Sequence, residues 1–109
     1  MANTFKLKTK ANVGVTTVGI YTAPAATTTV VIGITLANTS GSGVNVGVGV
    51  TRAGTTEDVK LLKNAPIPSG SSLEFMAGNN VVLEATDTVT VDSDTNNSVD
   101  AALTIMEIT

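Results

Sequence analysis

Read for the alternation of apolar and polar positions, the chain breaks into short stretches of period two, separated by clusters of Gly, Pro, Asn, Asp and Ser. Residues 4–10 set Phe5 and Leu7 against Lys6, Lys8 and Lys10, and residues 13–21 carry Val15, Val18 and Ile20 around Gly14 and Gly19. Residues 28–37 give the strongest strand, with Val30, Ile32, Ile34 and Leu36 on one face. The other face, Val31, Gly33, Thr35 and Ala37, is also fairly apolar, which marks a central strand covered on both sides. Residues 44–51 alternate Val44, Val46, Val48 and Val50 with Asn45, Gly47, Gly49 and Thr51, the grammar of a half-buried strand with a small outer face. A short charged strand is predicted over 57–63, and the Pro66 and Pro68 segment, 64–70, reads as a fixed loop. Further strands follow at 72–77 (Leu73 and Phe75 inward), 81–84, 88–92 and 99–108, the last with Val99, Ala101, Leu103 and Ile105 on one face.

Strands at roughly 8–12-residue spacing, with no helical period lasting beyond a turn, predict an all-β fold. The expected architecture is a single-domain antiparallel β-sandwich of about eight strands, jelly-roll or immunoglobulin-like. Residues 1–10 are read as an N-terminal arm or first strand, and 11–109 as the sandwich domain. Composition agrees: 109 residues allow one domain, and the β-branched Thr and Val supply 34 of them. With three aromatics among much Ala, Gly and Thr, the core is thin, and association would cover what the fold cannot bury alone.

Composition also removes function classes. There is no Cys, His or Trp, so there is no disulfide framework, thiol nucleophile, Cys/His zinc site or histidine base. The net charge is −3, which argues against a nucleic-acid partner. Residues 1–63 hold all six cations and carry +4, whereas 64–109 hold no cation and carry −7, an asymmetry suited to contacts between copies. No targeting segment or membrane-spanning apolar run is visible, which predicts cytosolic synthesis and no membrane partner. Asp87, Asp92, Asp94 and Asp100 are near in sequence but lack the aromatics of a sugar cleft and read as solvated loop acids. Residues 92–97 imitate the start of a calcium loop, but Asn97 stands where Gly belongs and Leu103 where a bidentate Glu belongs. No cofactor, metal or catalytic set is expected. The candidate interaction residues are Phe5, Lys6, Leu7, Lys8 and Lys10 on the first segment and Asn45, Gly47 and Gly49 on the small face of 44–51.

Several stretches together carry a resemblance. They are Ala2-Asn3-Thr4-Phe5-Lys6, Ile20-Tyr21-Thr22-Ala23-Pro24-Ala25, and Val30-Val31-Ile32-Gly33-Ile34-Thr35-Leu36-Ala37-Asn38. The later ones are Lys63-Asn64-Ala65-Pro66-Ile67-Pro68-Ser69-Gly70-Ser71, Val81-Val82-Leu83-Glu84-Ala85-Thr86-Asp87 and Met106-Glu107-Ile108-Thr109. Over nearly its full length the chain resembles small virion structural proteins of tailed cyanophages and marine phages, of the capsid decoration (cement) kind. The resemblance implies a role in particle assembly; the first expectation within it is a non-enzymatic decoration protein on the capsid surface of a virion made in the host cytoplasm, binding the major capsid protein and stabilising the expanded head, and the thin core and split charge predict a homotrimer. A tail, neck or fibre-base component is the alternative, and a carbohydrate-binding module a third reading that would want exposed aromatics at its site.

Overall fold

A computed structural model describes residues 3–54, 58–75 and 81–109, without the side chain of Phe75. The predicted start of the charged strand at Glu57, the turn at Gly78-Asn79-Asn80 and the inward reading of Phe75 lie outside the described residues. Nine strands occur among the described residues: β1 (Asn3–Val13), β2 (Val18–Thr22), β3 (Thr28–Asn38), β4 (Val44–Thr51), β5 (Asp58–Ile67), β6 (Ser72–Phe75), β7 (Val81–Leu83), β8 (Thr88–Ser93) and β9 (Val99–Ile108).

They form two sheets, antiparallel at every pairing. Sheet A has the order β1-β9-β3-β6, with β7 also on β3, and sheet B has the order β2-β8-β4-β5. Strands 1 to 4 cross alternately between the sheets, and the return path threads each later strand between or beside earlier ones. This is the jelly-roll order, with one strand position filled by the two short pieces β6 and β7. It selects the jelly roll over the immunoglobulin-like alternative.

The core is the inner face of both sheets. Val44, Val46, Val48 and Val50 of β4 point inward as their alternation predicts, and so do Val99, Ala101, Leu103 and Ile105 of β9. Residues 3–10 lie in sheet A as part of β1, paired with β9 along their length.

Two predictions fail locally for identifiable reasons. In β3 the inward set is Val31, Ile34 and Leu36, not Val30, Ile32, Ile34 and Leu36. A β-bulge between Val31 and Gly33 shifts the register by one residue, and a one-residue slip exchanges faces. Val30 and Ile32 are thereby put on the outside. Residues 64–67, expected in a loop, belong to β5, where Pro66 lies opposite Asn45. β5 is the edge of sheet B, the place where a strand tolerates a residue without an N–H. Asn64, at φ 56°, accompanies the nearby register shift.

Candidate interaction surface

The register of sheet A orders its outer face into cross-strand rows. Phe5 lies opposite Met106, Met106 opposite Val30, and Val30 opposite Val82, so four apolar side chains from four strands stand side by side. Directly opposed residues share a face and their Cβ atoms lie about 5 Å apart, so the row crosses the full width of the sheet. Phe5 is 69% exposed and Val82 58%, while Val30 and Met106 are half-buried between them. In the next row Leu7 faces Thr104, and Thr104 faces the bulge at Gly33, beside which Ile32 is exposed. Four of the six large apolar side chains exposed among the described residues, Phe5, Leu7, Ile32 and Val82, thus belong to this one face. Contiguous apolar patches of a few hundred Å² mark interaction sites.

β1 is inside out by ordinary reckoning. Lys6 is paired with Ile105, Lys8 with Leu103 and Lys10 with Ala101, all core residues, so the lysines occupy the inward side of the edge strand and Phe5 and Leu7 its outward side. Lys6 meets a buried partner there: its Nζ is 2.9 Å from Oε1 of Glu107. The Tyr21 hydroxyl, from the other sheet, donates to Glu107 Oε2 at 2.5 Å and lies 2.8 Å from Thr29 Oγ1. Since the phenol has one proton, Thr29 is the donor to Tyr21. The Tyr21 hydrogen bond, then that from Lys6, holds the Glu107 carboxyl below its ordinary range in spite of burial. Burial, followed by the adjoining carboxylate, pushes the Tyr21 phenol up to about 12. This network pins β1 to both sheets through charge-assisted bonds, and inward lysines at an edge discourage uncontrolled strand pairing.

The outer face of sheet B is built differently. Gly47 and Gly49, expected to offer a small open face, are buried. A Cβ on Gly47 would come within 2.6 Å of Asp92 Oδ1, and one on Gly49 within 2.7 Å of Asp58 Oδ1 and 3.0 Å of the Val59 carbonyl. The two glycines are roofed by side chains that satisfy one another. Lys60 Nζ lies 3.0 Å from Asp58 and 3.4 Å from Asp92, Thr17 donates to Asp92 at 3.0 Å, and Thr90 donates to Asp58 at 3.2 Å. Hydrogen bonding to Asp58 raises the Lys60 pKa. Asn45 is exposed, and its backbone exchanges bonds with Asp94.

Several other acids are also committed. Asp92 faces the roof and Asp94 binds Asn45 and Thr95, so the carboxylates of the 92–97 loop diverge; no group of three potential metal ligands occurs among the described residues. At one end of the sandwich the buried Asp87 accepts from the amides of Ala53 and Glu84, at 2.8 and 3.0 Å, and pairs with Arg52 at 3.1 Å. Burial alone would raise the Asp87 pKa, but these donors outweigh it and hold it low. Arg52 also bonds Glu84. A cleft of about 350 Å³ beside this cluster, lined by Val50, Val59, Leu61, Val81 and Val82, has its charged groups paired with one another.

No protein-family model matches the sequence, and no curated protein matches it. Solved structures do share its architecture. A subunit of the Bacillus endospore appendages, a family of disulfide-linked pili, is 16% identical with a TM-score of 0.60 over 99% of this chain and 87% of its own. A chain of the T13 particle of infectious bursal disease virus is 15% identical with a TM-score of 0.60 over 96% of this chain. A chain of the Gx strain of that virus is 12% identical with a TM-score of 0.54 over 96% of this chain. The protein spans only 30% and 36% of those two viral chains. At these identities the likeness shows the fold: a jelly roll also used by subunits of a pilus and of a viral particle.

Proposed function

We propose that the chain is a structural subunit of a virion and not an enzyme. Within the virion we assign it to the capsid surface, as a decoration protein that binds the major capsid protein and stabilises the expanded head. The observation that carries the structural, assembling part of this reading is the uncharged apolar row Phe5–Met106–Val30–Val82 on the outside of a domain whose other outer face is closed by mutually satisfied polar groups. Such a surface contacts protein; it holds no reacting group. The resemblance of the sequence to tailed-phage virion proteins and the use of this fold in a viral particle support the same reading. Mechanistically, each copy binds the assembled shell and not its dispersed subunits, so its binding free energy adds to the assembled state, and many sites sum. The backbone edge of β1 is open to strand addition, with Lys8 and Lys10 beside it as contacts for an acidic partner.

A tail, neck or fibre-base component is the second reading. It is favoured by the full-length likeness to a pilus subunit, a fold used in a filament. With no Cys in its 109 residues, this chain would assemble without the disulfide links of that pilus. The sequence expectation of a homotrimer is one closed form of self-association.

Copy number in purified particles, measured by quantitative mass spectrometry against the major coat protein, tests the proposal. A ratio near one per coat subunit, or a fixed fraction of it, is expected. A ratio matching one or a few rings moves the protein to the tail or neck, and absence from washed particles overturns the virion role.

A further inference from the structure

The occupant of the apolar face can be read from its relief. Four residues along the strands from the bulky row lies a second row on the same face: Thr9 opposite Ala102, Ala102 opposite Thr35, and Thr35 opposite Glu74. Beyond it Ala37 stands opposite Asp100. Apart from Glu74 and Asp100 these are small side chains, and a shallow depression of about 300 Å³ is lined by Thr9, Ala11, Thr35, Ala37 and Ala102 together with Lys10 and Asp100. One face thus carries a ridge at one end and a trough at the other, about 14 Å apart at the rise of an antiparallel strand. Midway between them runs the row of Leu7, Thr104 and Gly33.

We infer that the outer face of sheet A packs against the same face of a second copy about a two-fold axis. The axis lies between the two faces, perpendicular to the strands, and passes over Thr104. This inference rests on the assembly role proposed above and names the partner of that face. A rotation about such an axis keeps each strand over its counterpart and reverses its direction. It therefore lays Phe5 over the partner copy's Thr9, Met106 over its Ala102, Val30 over its Thr35 and, at the margin, Val82 over its Glu74, and the reverse pairs follow from the symmetry, as an isologous contact requires. The ridge of each copy enters the trough of the other.

Area and charge agree. A face four strands wide and about nine residues long measures roughly 19 by 27 Å. That footprint is about 500 Å² per copy, so a contact using both halves only just clears the roughly 1,000 Å² total of a specific interface, and the apolar row alone falls short. The centre of the face is uncharged: Glu74 stands on the edge strand β6, and Asp100 and Lys10 belong to the far end of the trough. That is the distribution of an interface core with a polar rim. The open edge of β1 is left free for the shell.

Sedimentation equilibrium of the full chain, combined with single-cysteine cross-linking, tests this. The sequence has no Cys, so each introduced thiol is unique. The chain is expected to sediment as a dimer. Thr104→Cys is expected to be converted to a covalent dimer by a bismaleimide spanning about 10 Å, the distance between face-packed sheets. Asn45→Cys, on sheet B, is expected to stay monomeric under the same treatment. Phe5→Ser, at an exposed position, should weaken the dimer at least about 30-fold, as loss of an aromatic anchor does. A monomer throughout the concentration range, a trimer, or cross-linking through Asn45→Cys in place of Thr104→Cys overturns the two-fold packing. The particle copy number is read independently, so a monomer still present in washed particles sinks this pairing and leaves the virion role standing.

Discussion

On the outside of sheet A, Phe5, Met106, Val30 and Val82 lie side by side, exposed at both ends of the row and half-buried between, whereas on the outside of sheet B, Asp58, Asp92, Lys60, Thr17 and Thr90 are bonded to one another over two glycines. Both sheets bury valines, leucines and isoleucines against each other, so the core does not distinguish them. The difference lies in what each outer face still lacks. The polar face has its partners already; the apolar face is stabilised only when something covers it. A bulge in β3 and an inverted β1 create that face, by turning Val30, Ile32, Phe5 and Leu7 outward.

The sharpest way to break this comparison is along β9, which serves core and surface in turn. Leu103→Ala removes a fully buried side chain and should cost about 2–5 kcal/mol in urea unfolding. Met106→Ala, three residues on and on the outer face, should cost about 1 kcal/mol or less and act on association instead. Equal losses of stability would mean that Met106 belongs to the core.

Next in size is the roof of sheet B. Gly49→Ala drives a methyl against the Val59 carbonyl and the Asp58 carboxylate and should cost about 1–3 kcal/mol. Its counterpart on sheet A, Thr35→Val, should change stability by no more than about 0.5 kcal/mol. If Gly49→Ala is neutral, the roof is not closed.

The strap between the sheets is tested by pH. Glu107 titrates lower in the folded chain than unfolded, so its contribution is present above its ordinary value of 4.5 and is lost as pH falls through the depressed folded value. Asp87 acts in the same direction. Tyr21 titrates higher when folded, so its contribution is complete below 10.0 and is lost as pH rises from there through about 12. Unfolding midpoints measured across both ranges should fall at each end. Tyr21→Phe should make both falls shallower, the alkaline one more, with the part due to Lys60 remaining; an unchanged alkaline limb would contradict the buried bond.

A small effect is also expected at Asp58→Asn. Its link to Lys60 is part-exposed, so the loss should be at most about 1 kcal/mol and should shrink in high salt.

Much of the architecture was legible in the sequence. The valine ladder of β4 and the alternating set of β9 announced their inward faces, because an uninterrupted strand needs only local periodicity to be oriented. β3 was misread for the opposite reason: apolar on both faces, it gave no local cue to the bulge that reverses its phase after Val31. Pro66 suggested a loop because a lone sequence does not say which strands are edges. Phe5 and Leu7 were singled out, but as partners of an arm; their outward direction follows from pairing with β9, nearly a hundred residues away. Glu107 was missed altogether, since Tyr21 and Glu107 meet across 86 residues and no spacing rule joins them. Gly47 and Gly49 looked open because their cover comes from β5 and β8.

Hydroxyl-radical footprinting of the chain in purified particles against the free chain at high dilution tests the central claim most directly. Oxidation of Phe5, Leu7 and Met106 should fall at least about tenfold in the particle, as for side chains moved into an interface core, while Val15, exposed and off this face, keeps its rate. Equal oxidation of Phe5, Leu7 and Met106 in both states would show that the apolar face of sheet A is not where this protein makes its contacts.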